Sequence, residues 1–257
     1  MITTAEIAAM VGTYFWPFVR ISAMLMAAPL FGAKSIVFSA HRLGLAIFLT
    51  IIVGPLLGPA PVVEPMSAAG LLILFNQFII GFAMGFILQL AMSALSIAGQ
   101  SIAMTMGLGF AQSVDPVTGV SVPVVGKFYL VIGTLIFFLL NGHLVAIKIL
   151  LESFTVLPVG EKGMTNSGMM LIVLWAGQMY AGALLIALPC MVTLTLINIA
   201  FGVMTRSAPQ MNIFAVGFPT TLFAGVLIIM LTLPGLLPRF TDILMQAFAT
   251  LQKALVS

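Results

Sequence analysis

The side chains that could do chemistry are few in this 257-residue chain, and their spacing does not predict catalysis. A metal site needs clustered His, Cys or carboxylate side chains, yet His41 and His143 are far apart and neither has another such ligand three or four residues away. Asp115 and Glu152 are too distant in sequence to predict a general acid/base pair. The single cysteine, Cys190, stands in an apolar run and is expected to be a small buried side chain. The sequence therefore predicts a protein that is not an enzyme and has no metal or cofactor.

Phosphate and nucleic-acid binding are not indicated either. The nearest approach to a P-loop, from Gly119 to Gly126-Lys127, has the wrong spacing and carries Phe128 where the motif needs Ser or Thr. Nine basic and six acidic residues, a net charge of +3, are spread thinly along the chain without a basic run. We expect no nucleic-acid partner.

Hydrophobic residues make up 62% of the chain and charged residues only 6%. Soluble domains carry about 25% charged residues, so this sequence cannot cover a surface that faces water. It is expected to be an integral membrane protein, in contact with lipid, or the buried part of a membrane assembly. No basic residue precedes Arg20, whereas a cleaved secretory signal has a positive region before its apolar core. The first apolar stretch is therefore expected to stay in the mature protein.

Long apolar segments separated by glycine, proline and polar residues predict an all-α fold with kinked helices and helical hairpins. The segments are 7–30, 43–58, 69–106, 124–157, 168–204 and 211–237, followed by a tail, 238–257, that resembles a short amphipathic surface helix. Asn141-Gly142-His143 is expected to break the fourth segment and Pro189 the fifth. Because several segments are longer than one membrane crossing needs, they are either kinked helices that protrude beyond the bilayer or hairpins that fold back inside an assembly.

Arg20 lies inside the first apolar segment, three residues after Pro17. At membrane depth an arginine costs at least ~2.5 kcal/mol unless it reaches the interface or finds a partner. Two interpretations are open: a side chain that snorkels near a helix end, or one that faces a partner.

One face of segment 69–106 carries small and polar residues, which fall within roughly a third of the helix circumference at about 100° per residue. They are Gly81, Gly85, Gln89, Met92, Ser93, Ser96, Gly99 and Gln100. Small residues let another backbone approach, and serine and glutamine offer interhelical hydrogen bonds. The stripe predicts either packing within this chain or a helix that lines a passage or packs against other subunits.

Residues 107–123, near the middle of the chain, cannot complete an α-helix, because prolines lack N–H donors and glycines favour loop geometry. Their unpaired backbone groups cannot face lipid, where each costs several kcal/mol. The stretch is expected to lie outside the bilayer or to be enclosed by protein around a wet passage. Asp115 with Pro116 is interpreted as a turn that directs the loop rather than as a proton site. Met104 and Met106 suit core packing, or a constriction that seals and yet deforms.

Three motifs carry a resemblance. The first is Gly107-Leu108-Gly109-Phe110-Ala111, followed by Asp115-Pro116 and Gly119. The second is Asn141-Gly142-His143, followed by Glu152-Ser153-Phe154 and Pro158-Val159-Gly160. The third and most specific runs from Arg206 to Pro219. Together they resemble the FliR family of type III export-gate subunits, which flagella share with virulence injectisomes, and the resemblance covers nearly the whole chain.

The resemblance implies a multi-helix, all-α integral membrane subunit that is assembled in a helical hetero-oligomeric ring. Residues 1–165 would form a FliP-like helical part that includes the plug loop, and residues 166–257 a FliQ-like C-terminal helical hairpin with its tail. The expected partners are FliP-like and FliQ-like export-gate subunits, a FlhB-like switch protein, and unfolded flagellar proteins as cargo. The expected location is the bacterial inner membrane, at the flagellar basal body.

In this family the loop after the long helix projects into the channel and acts as a plug, which by motif match is residues 106–123 here. The residues assigned to it are Met106, Gly107, Leu108, Gly109, Phe110, Ala111, Asp115, Pro116, Gly119 and Pro123. Subunit packing is assigned to Gly81, Gly85, Gln89, Ser93, Ser96 and Gln100 on the stripe, and to Arg206, Pro209, Gln210, Asn212, Phe218 and Pro219 in the third motif. That third motif, 206–219, is expected to be a turn between two C-terminal helices.

Two other functions stay open. One is a secondary transporter whose re-entrant central loop is the substrate site, and the other is a membrane scaffold without a pore. A transporter would be expected to show internal symmetry and an intramembrane carboxylate beside a helix break. No convincing repeat is found, and Asp115 lies in the loop itself.

Overall fold

The computed structural model describes residues 4–29, 36–58, 61, 63–64, 66–109, 124–207 and 213–257. These residues are helical apart from short connections, and no β-strand occurs among them. The predicted all-α fold is confirmed. The chain divides into two compact units, one formed by Met1–Leu90, Phe138–Ala176 and Met245–Ser257, the other by Ala91–Phe137 and Gly177–Leu244. The boundary expected at residue 165 between two family-like parts stays a prediction.

Within the described ranges the α-helices are α1 (Thr4–Ala27), α2 (Ile36–Val53), α3 (Ala68–Thr105), α4 (Val124–Leu139), α5 (Gly142–Val156), α6 (Asn166–Ser207), α7 (Ile213–Thr232) and α8 (Leu236–Val256). One-turn 3-10 helices, Gly54–Leu56 and Leu233–Gly235, follow α2 and α7.

Hydroxyl side chains begin the two longest of these helices. Ser67 Oγ accepts a hydrogen bond from the Gly70 N–H at 3.1 Å before α3, and Thr165 Oγ1 accepts one from the Gly168 N–H at 3.1 Å before α6. Such caps pair amides that have no partner in the first helical turn. At about 1.5 Å per residue α3 is about 57 Å long, well beyond the roughly 30 Å of a hydrocarbon core.

The break predicted at Asn141-Gly142-His143 is confirmed. Asn141 adopts a left-handed conformation with φ 55° and ψ 27°, which a short polar side chain tolerates better than most. Its carbonyl accepts a hydrogen bond from the Leu144 N–H at 2.9 Å and so begins α5 directly after α4.

Three predicted boundaries were wrong. α2 begins at Ile36, so His41 and Arg42 lie in a helix rather than in a loop between the predicted segments 7–30 and 43–58. The expected break at Pro189 does not occur, because α6 is continuous through it. Helical structure also extends into both ends of the expected turn 206–219, which places Phe218 and Pro219 inside α7.

The continuity of α6 has a physical cause in α8. A proline has no N–H to donate to the carbonyl four residues earlier, and for Pro189 that carbonyl belongs to Leu185. Arg239 Nη1 donates a hydrogen bond to the Leu185 oxygen. A proline is tolerated inside an apolar helix when a neighbouring group pairs the freed carbonyl in this way.

The predicted amphipathic tail helix is confirmed as α8. Its buried residues recur every three or four positions, as one helix face requires: Leu236, Phe240, Ile243, Leu244, Ala247, Phe248, Leu251, Ala254 and Leu255. Phe240 packs near Gly133 of α4, and Ile243 packs near Gly182 of α6. The apolar face is therefore buried against the chain's own helices.

Three helical stretches are long and apolar enough to cross a membrane: Ala68–Thr105, Asn166–Met204 and Val216–Val256. The α4–α5 pair adds a fourth if the bent pair is taken as one span. These figures cover the described ranges.

Exposed hydroxyl groups on the long helices are paired within their own helix. Thr193 Oγ1 donates to the Pro189 carbonyl at 2.8 Å, and Thr195 Oγ1 donates to the Met191 carbonyl at 2.7 Å. Thr220 Oγ1 on α7 donates to its own helix in the same way. An unpaired hydroxyl in hydrocarbon costs free energy, so this pairing lets these faces be covered by an apolar environment.

Candidate functional site

Arg20 of α1 is completely buried and binds two other helices. Its Nε donates to Gln77 Oε1 of α3 at 2.8 Å. Its Nη1 donates to the carbonyl oxygen of Ser153 at 2.9 Å and to Ser153 Oγ at 3.1 Å, and its Nη2 donates to the Leu157 carbonyl at 2.8 Å. The guanidinium also lies 4.2 Å from the ring centroid of Phe154. Of the two interpretations of Arg20, the structure supports a partner within the protein and not snorkelling.

The partners of Arg20 are carbonyl, hydroxyl and amide oxygens rather than a carboxylate. Ser153 and Leu157 lie at the C-terminal end of α5, where the helix dipole is negative and stabilises a buried cation. The Ser153 carbonyl also accepts a hydrogen bond from the Leu157 N–H at 2.9 Å, so the guanidinium is its second donor. Ser153 Oγ donates to the Leu150 carbonyl at 2.6 Å, which orients its lone pairs toward the guanidinium.

The first two glycines of the predicted stripe allow α3 to cross α1 closely. A Cβ added at Gly81 would overlap the carbonyl oxygen of Arg20, and one at Gly85 would overlap that of Met24. A Cβ at Gly85 would also lie 2.6 Å from the Cβ of Ala27. The structure therefore brings these stripe residues against the chain's own first helix.

A second close crossing joins α3 to α4, the helices on either side of the central stretch. A Cβ at Gly99 would lie 2.7 Å from Gly126 Cα and 2.8 Å from the Val125 carbonyl oxygen. Gly99 could not be replaced without moving one backbone, and a Cβ at Gly126 would lie only 3.2 Å from the Ser96 carbonyl oxygen. The chain segments before and after residues 107–123 are thus held together seven residues before Met106 and three residues after Pro123.

The end of α3 is a Schellman motif, the turn with which helices commonly stop. The Leu108 N–H donates to the Ala103 carbonyl at 3.0 Å, and the Gly107 N–H donates to the Met104 carbonyl at 3.1 Å. Gly107 has φ +85°, a left-handed conformation that glycine adopts without strain. Gly107 therefore ends the helix and sets the direction in which the central stretch leaves it.

Two C-terminal helices contact the turn at the end of α3, residues 105–108, hereafter called the corner. Asn198 Nδ2 of α6 donates to the Thr105 carbonyl at 3.2 Å, and Thr221 Oγ1 of α7 donates to the Met106 carbonyl at 3.4 Å. Met106 is only 1% exposed, and its side chain packs on Gly225 of α7.

A cavity of about 360 Å³ opens beside the corner. Met104, Phe201 and Phe218 supply much of its apolar lining, and Asn198 and Thr221 supply polar atoms.

The remaining predicted residues are placed as follows. Gly107, Leu108 and Gly109 are partly buried, as are Gln89, Ser93 and Ser96, whereas Gln100, Arg206, Phe218 and Pro219 are exposed. Phe110, Ala111, Asp115, Pro116, Gly119, Pro123, Pro209, Gln210 and Asn212 lie outside the described residues. The plug and subunit-packing assignments stay predictions. Among the described residues, no group of three His, Cys, Asp or Glu side chains comes together to hold a metal.

Five residues that build these sites have no role predicted from the sequence: Gln77, Ser153, Asn198, Thr221 and Gly225. Each is a polar or small residue within an apolar helix, which is a usable signal because such residues often mediate helix packing. The sequence carries no sign of which distant helix each one meets.

These features define a polytopic helical membrane protein. The helices are apolar and long enough to span a membrane, glycines let them cross closely, and the buried arginine is hydrogen-bonded within the protein. The chain belongs to the bacterial export proteins, family 1, whose family model matches residues 11–247. The export-gate resemblance drawn from the three motifs is thereby confirmed.

Three relatives named flagellar biosynthetic protein FliR are similar to this chain over most of its length. The flagellar biosynthetic protein FliR of Pectobacterium carotovorum subsp. carotovorum is 37% identical over 232 residues, which cover 90% of this chain and 88% of the relative. The FliR of Escherichia coli (strain K12) is 33% identical over 92% of this chain and 90% of the relative. The FliR of Bacillus subtilis (strain 168) is 30% identical over 79% of this chain and 78% of the relative.

Proposed function

We propose that this chain is a non-enzymatic subunit of the flagellar type III protein export gate in the bacterial inner membrane, and that it forms part of the channel for unfolded flagellar proteins. The observation that carries the proposal is the family match over residues 11–247, with relatives named flagellar biosynthetic protein FliR over the same length. The membrane-length helices are the supporting structural feature.

Residues 106–123 act as the plug of this channel. The geometry at both ends of the segment supports that role. α3 stops at a Schellman motif, and the Gly99–Gly126 crossing holds α3 and α4 together. The helix ends that flank the segment are thereby held together, so a displacement of the segment would not separate the helices that carry it. Leu108 and Phe110 are the apolar side chains that would exclude water and ions.

FliP-like, FliQ-like and FlhB-like proteins are the partners in this proposal. In the stretches Asn166–Met204 and Val216–Val256, only 22% of the most apolar part of the helix is buried within the chain. The corresponding share in Ala68–Thr105 is 44%. The two C-terminal stretches therefore leave much apolar surface for neighbouring subunits and lipid. The internal pairing of their threonine hydroxyls suits either neighbour.

Deletion of residues 108–119 tests the plug. The complex should still assemble with its FliP-like and FliQ-like partners, and the purified complex should conduct potassium chloride across a planar bilayer where the wild type does not. A matched variant with the same residues replaced by an equally long Gly/Ser sequence separates the loss of apolar side chains from shortening. An intact complex that stays non-conducting in both variants would count against the plug.

The transporter alternative is tested with the chain alone. Reconstituted in vesicles without partners, an export-gate subunit should accumulate no small solute. Its activity should appear only in the multi-chain complex, as restored motility in cells that lack the native subunit.

A further inference from the structure

We propose that Met106 is the fixed anchor of the plug segment, held on α7 by its contacts with Gly225 and Thr221. The inference rests on the proposed function in naming the segment a plug. The anchor itself is argued from contacts among α3, α6 and α7.

Burial distinguishes two methionines at the end of α3. Met104 is 58% exposed, whereas Met106, two residues later, is 1% exposed. A side chain that stops a pore has to face the pore. Met106 is instead enclosed by its own chain, so its role differs from that of the apolar side chains that follow it.

Gly225 leaves the space on α7 that the Met106 side chain occupies, hereafter called the seat of Met106. A Cβ at this position would lie 2.6 Å from Met106 Cε, 2.7 Å from Cγ and 2.8 Å from Sδ. Methionine adapts easily at its thioether end, but Cγ stands next to Cβ and moves only if the whole side chain changes rotamer. A residue larger than glycine at 225 must therefore displace Met106 or the end of α3.

Polar contacts fix the backbone of the same corner. The Thr221 hydroxyl, one helical turn before Gly225, shares its single proton between the Phe218 carbonyl at 3.0 Å and the Met106 carbonyl at 3.4 Å. Asn198 donates to the Thr105 carbonyl from α6. The Thr105 and Met106 carbonyls lie at the end of α3, where helical donors are absent. Met106 is thus held by its side chain and its backbone, and Gly107 follows as the turn at which the direction of the chain changes.

Hydrogen exchange of the assembled complex tests the anchor. The amides of Gly107 and Leu108 close the Schellman motif, so their exchange reports whether the corner is intact. Gly225→Ala should speed their exchange about tenfold, since that change corresponds to about 1.4 kcal/mol and lies within the usual cost of overpacking. Gly177→Ala is the matched control, since a Cβ there meets nothing within 4 Å, and it should leave both amides unchanged. Unchanged exchange in Gly225→Ala would overturn the anchor.

A paired variant identifies Met106 as the contact. Met106→Ala removes the atoms that a Cβ at 225 would meet, so the double variant should exchange more slowly than Gly225→Ala alone. If the double variant exchanges faster still, Met106 is not what Gly225 accommodates. Should Gly225→Ala fail to assemble, Thr221→Val should still raise exchange roughly two- to tenfold through the lost hydrogen bond, with Thr221→Ser near wild type. Equal exchange in both would contradict the proposal.

Conductance separates failure of the anchor from failure of the plug. If deleting residues 108–119 opens the complex to potassium chloride while Gly225→Ala and Thr221→Val exchange like wild type, the plug stands and the anchor is wrong. If the deletion leaves the complex closed while exchange rises in these variants, the seat of Met106 is real and the plug is wrong. Faster exchange together with raised conductance supports both.

Discussion

Arg239 of α8 donates a hydrogen bond to the carbonyl oxygen of Leu185 on α6, the acceptor that Pro189 leaves without a helical donor. The two residues are 54 positions apart in the chain. Their contact explains why a helix of 42 residues passes through a proline without interruption.

Removal of this donor should destabilise the protein only while the proline is present. Arg239→Ala leaves the Leu185 carbonyl unpaired and should lower the free energy of unfolding by roughly 1 kcal/mol. In a Pro189→Ala background the helix supplies its own N–H, so the same substitution should cost much less. A double-mutant cycle by thermal unfolding in detergent measures the difference. Equal costs in the two backgrounds would show that Arg239 acts elsewhere.

Arg20 should be essential for the packing of α1, α3 and α5. Arg20→Met removes the guanidinium donors from Gln77 Oε1 and the Leu157 carbonyl and one of two donors from the Ser153 carbonyl, and it should destabilise by roughly 3 kcal/mol. Gln77→Glu places a carboxylate beside the guanidinium and removes an amide nitrogen, Nε2, that has no partner in the structure; it should be tolerated.

The combination of the two substitutions is the sharper test of Arg20. With Arg20→Met in place, Gln77→Glu buries a carboxylate without a cation and should become strongly destabilising. The thermal unfolding midpoint of the four proteins gives the sign. A harmful Gln77→Glu in the wild-type background would argue that Arg20 does not face this side chain.

The crossing of α3 over α1 should tolerate no added carbon. Gly81→Ala meets the carbonyl oxygen of Arg20 and should cost roughly 1–3 kcal/mol. Gly44→Ala on α2 is a suitable control because a Cβ there meets nothing within 4 Å. That control should be neutral or stabilising by up to about 1 kcal/mol, as alanine favours a helix over glycine. Similar unfolding midpoints for the two variants would exclude the close crossing.

Gln100, which is exposed on α3, should contribute to subunit association. Gln100→Leu removes its hydrogen-bonding capacity at a helix surface and should weaken co-purification with the FliP-like and FliQ-like partners. Leu90→Ala, at a buried position, should lower stability and yet preserve association at low temperature. If Gln100→Leu co-purifies like wild type, the polar stripe packs only within this chain.

Local features of the sequence were sufficient for much of the fold. The helix break at Asn141 follows from polar and glycine residues that interrupt an apolar run, and the amphipathic helix α8 follows from the spacing of its apolar residues. Proline predicted helix breaks less reliably. Pro189 is a helix breaker by its own chemistry, but the effect depends on whether its freed carbonyl finds another donor, and Arg239 is remote in sequence.

The candidate sites were predictable only in part. Gly107 is identifiable as a helix end because no other residue adopts its conformation so readily. The seat of Met106 was not predictable. Gly225 and Thr221 lie in an apolar helix more than a hundred residues away, and no local pattern connects them with Met106. Arg20 stands out in the sequence because an arginine in an apolar segment costs free energy, but both interpretations of it are consistent with the sequence.

The sequence by itself determined that the chain is helical and membrane-adapted, where its long helices are, and that it resembles the export-gate family, because these follow from composition, local backbone preference and motifs. Only the tertiary structure decided which residues meet: Arg20 with Gln77 and Ser153, 57 and 133 positions away, and Met106 with α7. A helix presents many polar and small residues that could serve equally well by local rules. Which of them pair is fixed by the way distant helices cross, and no short-range pattern encodes that crossing.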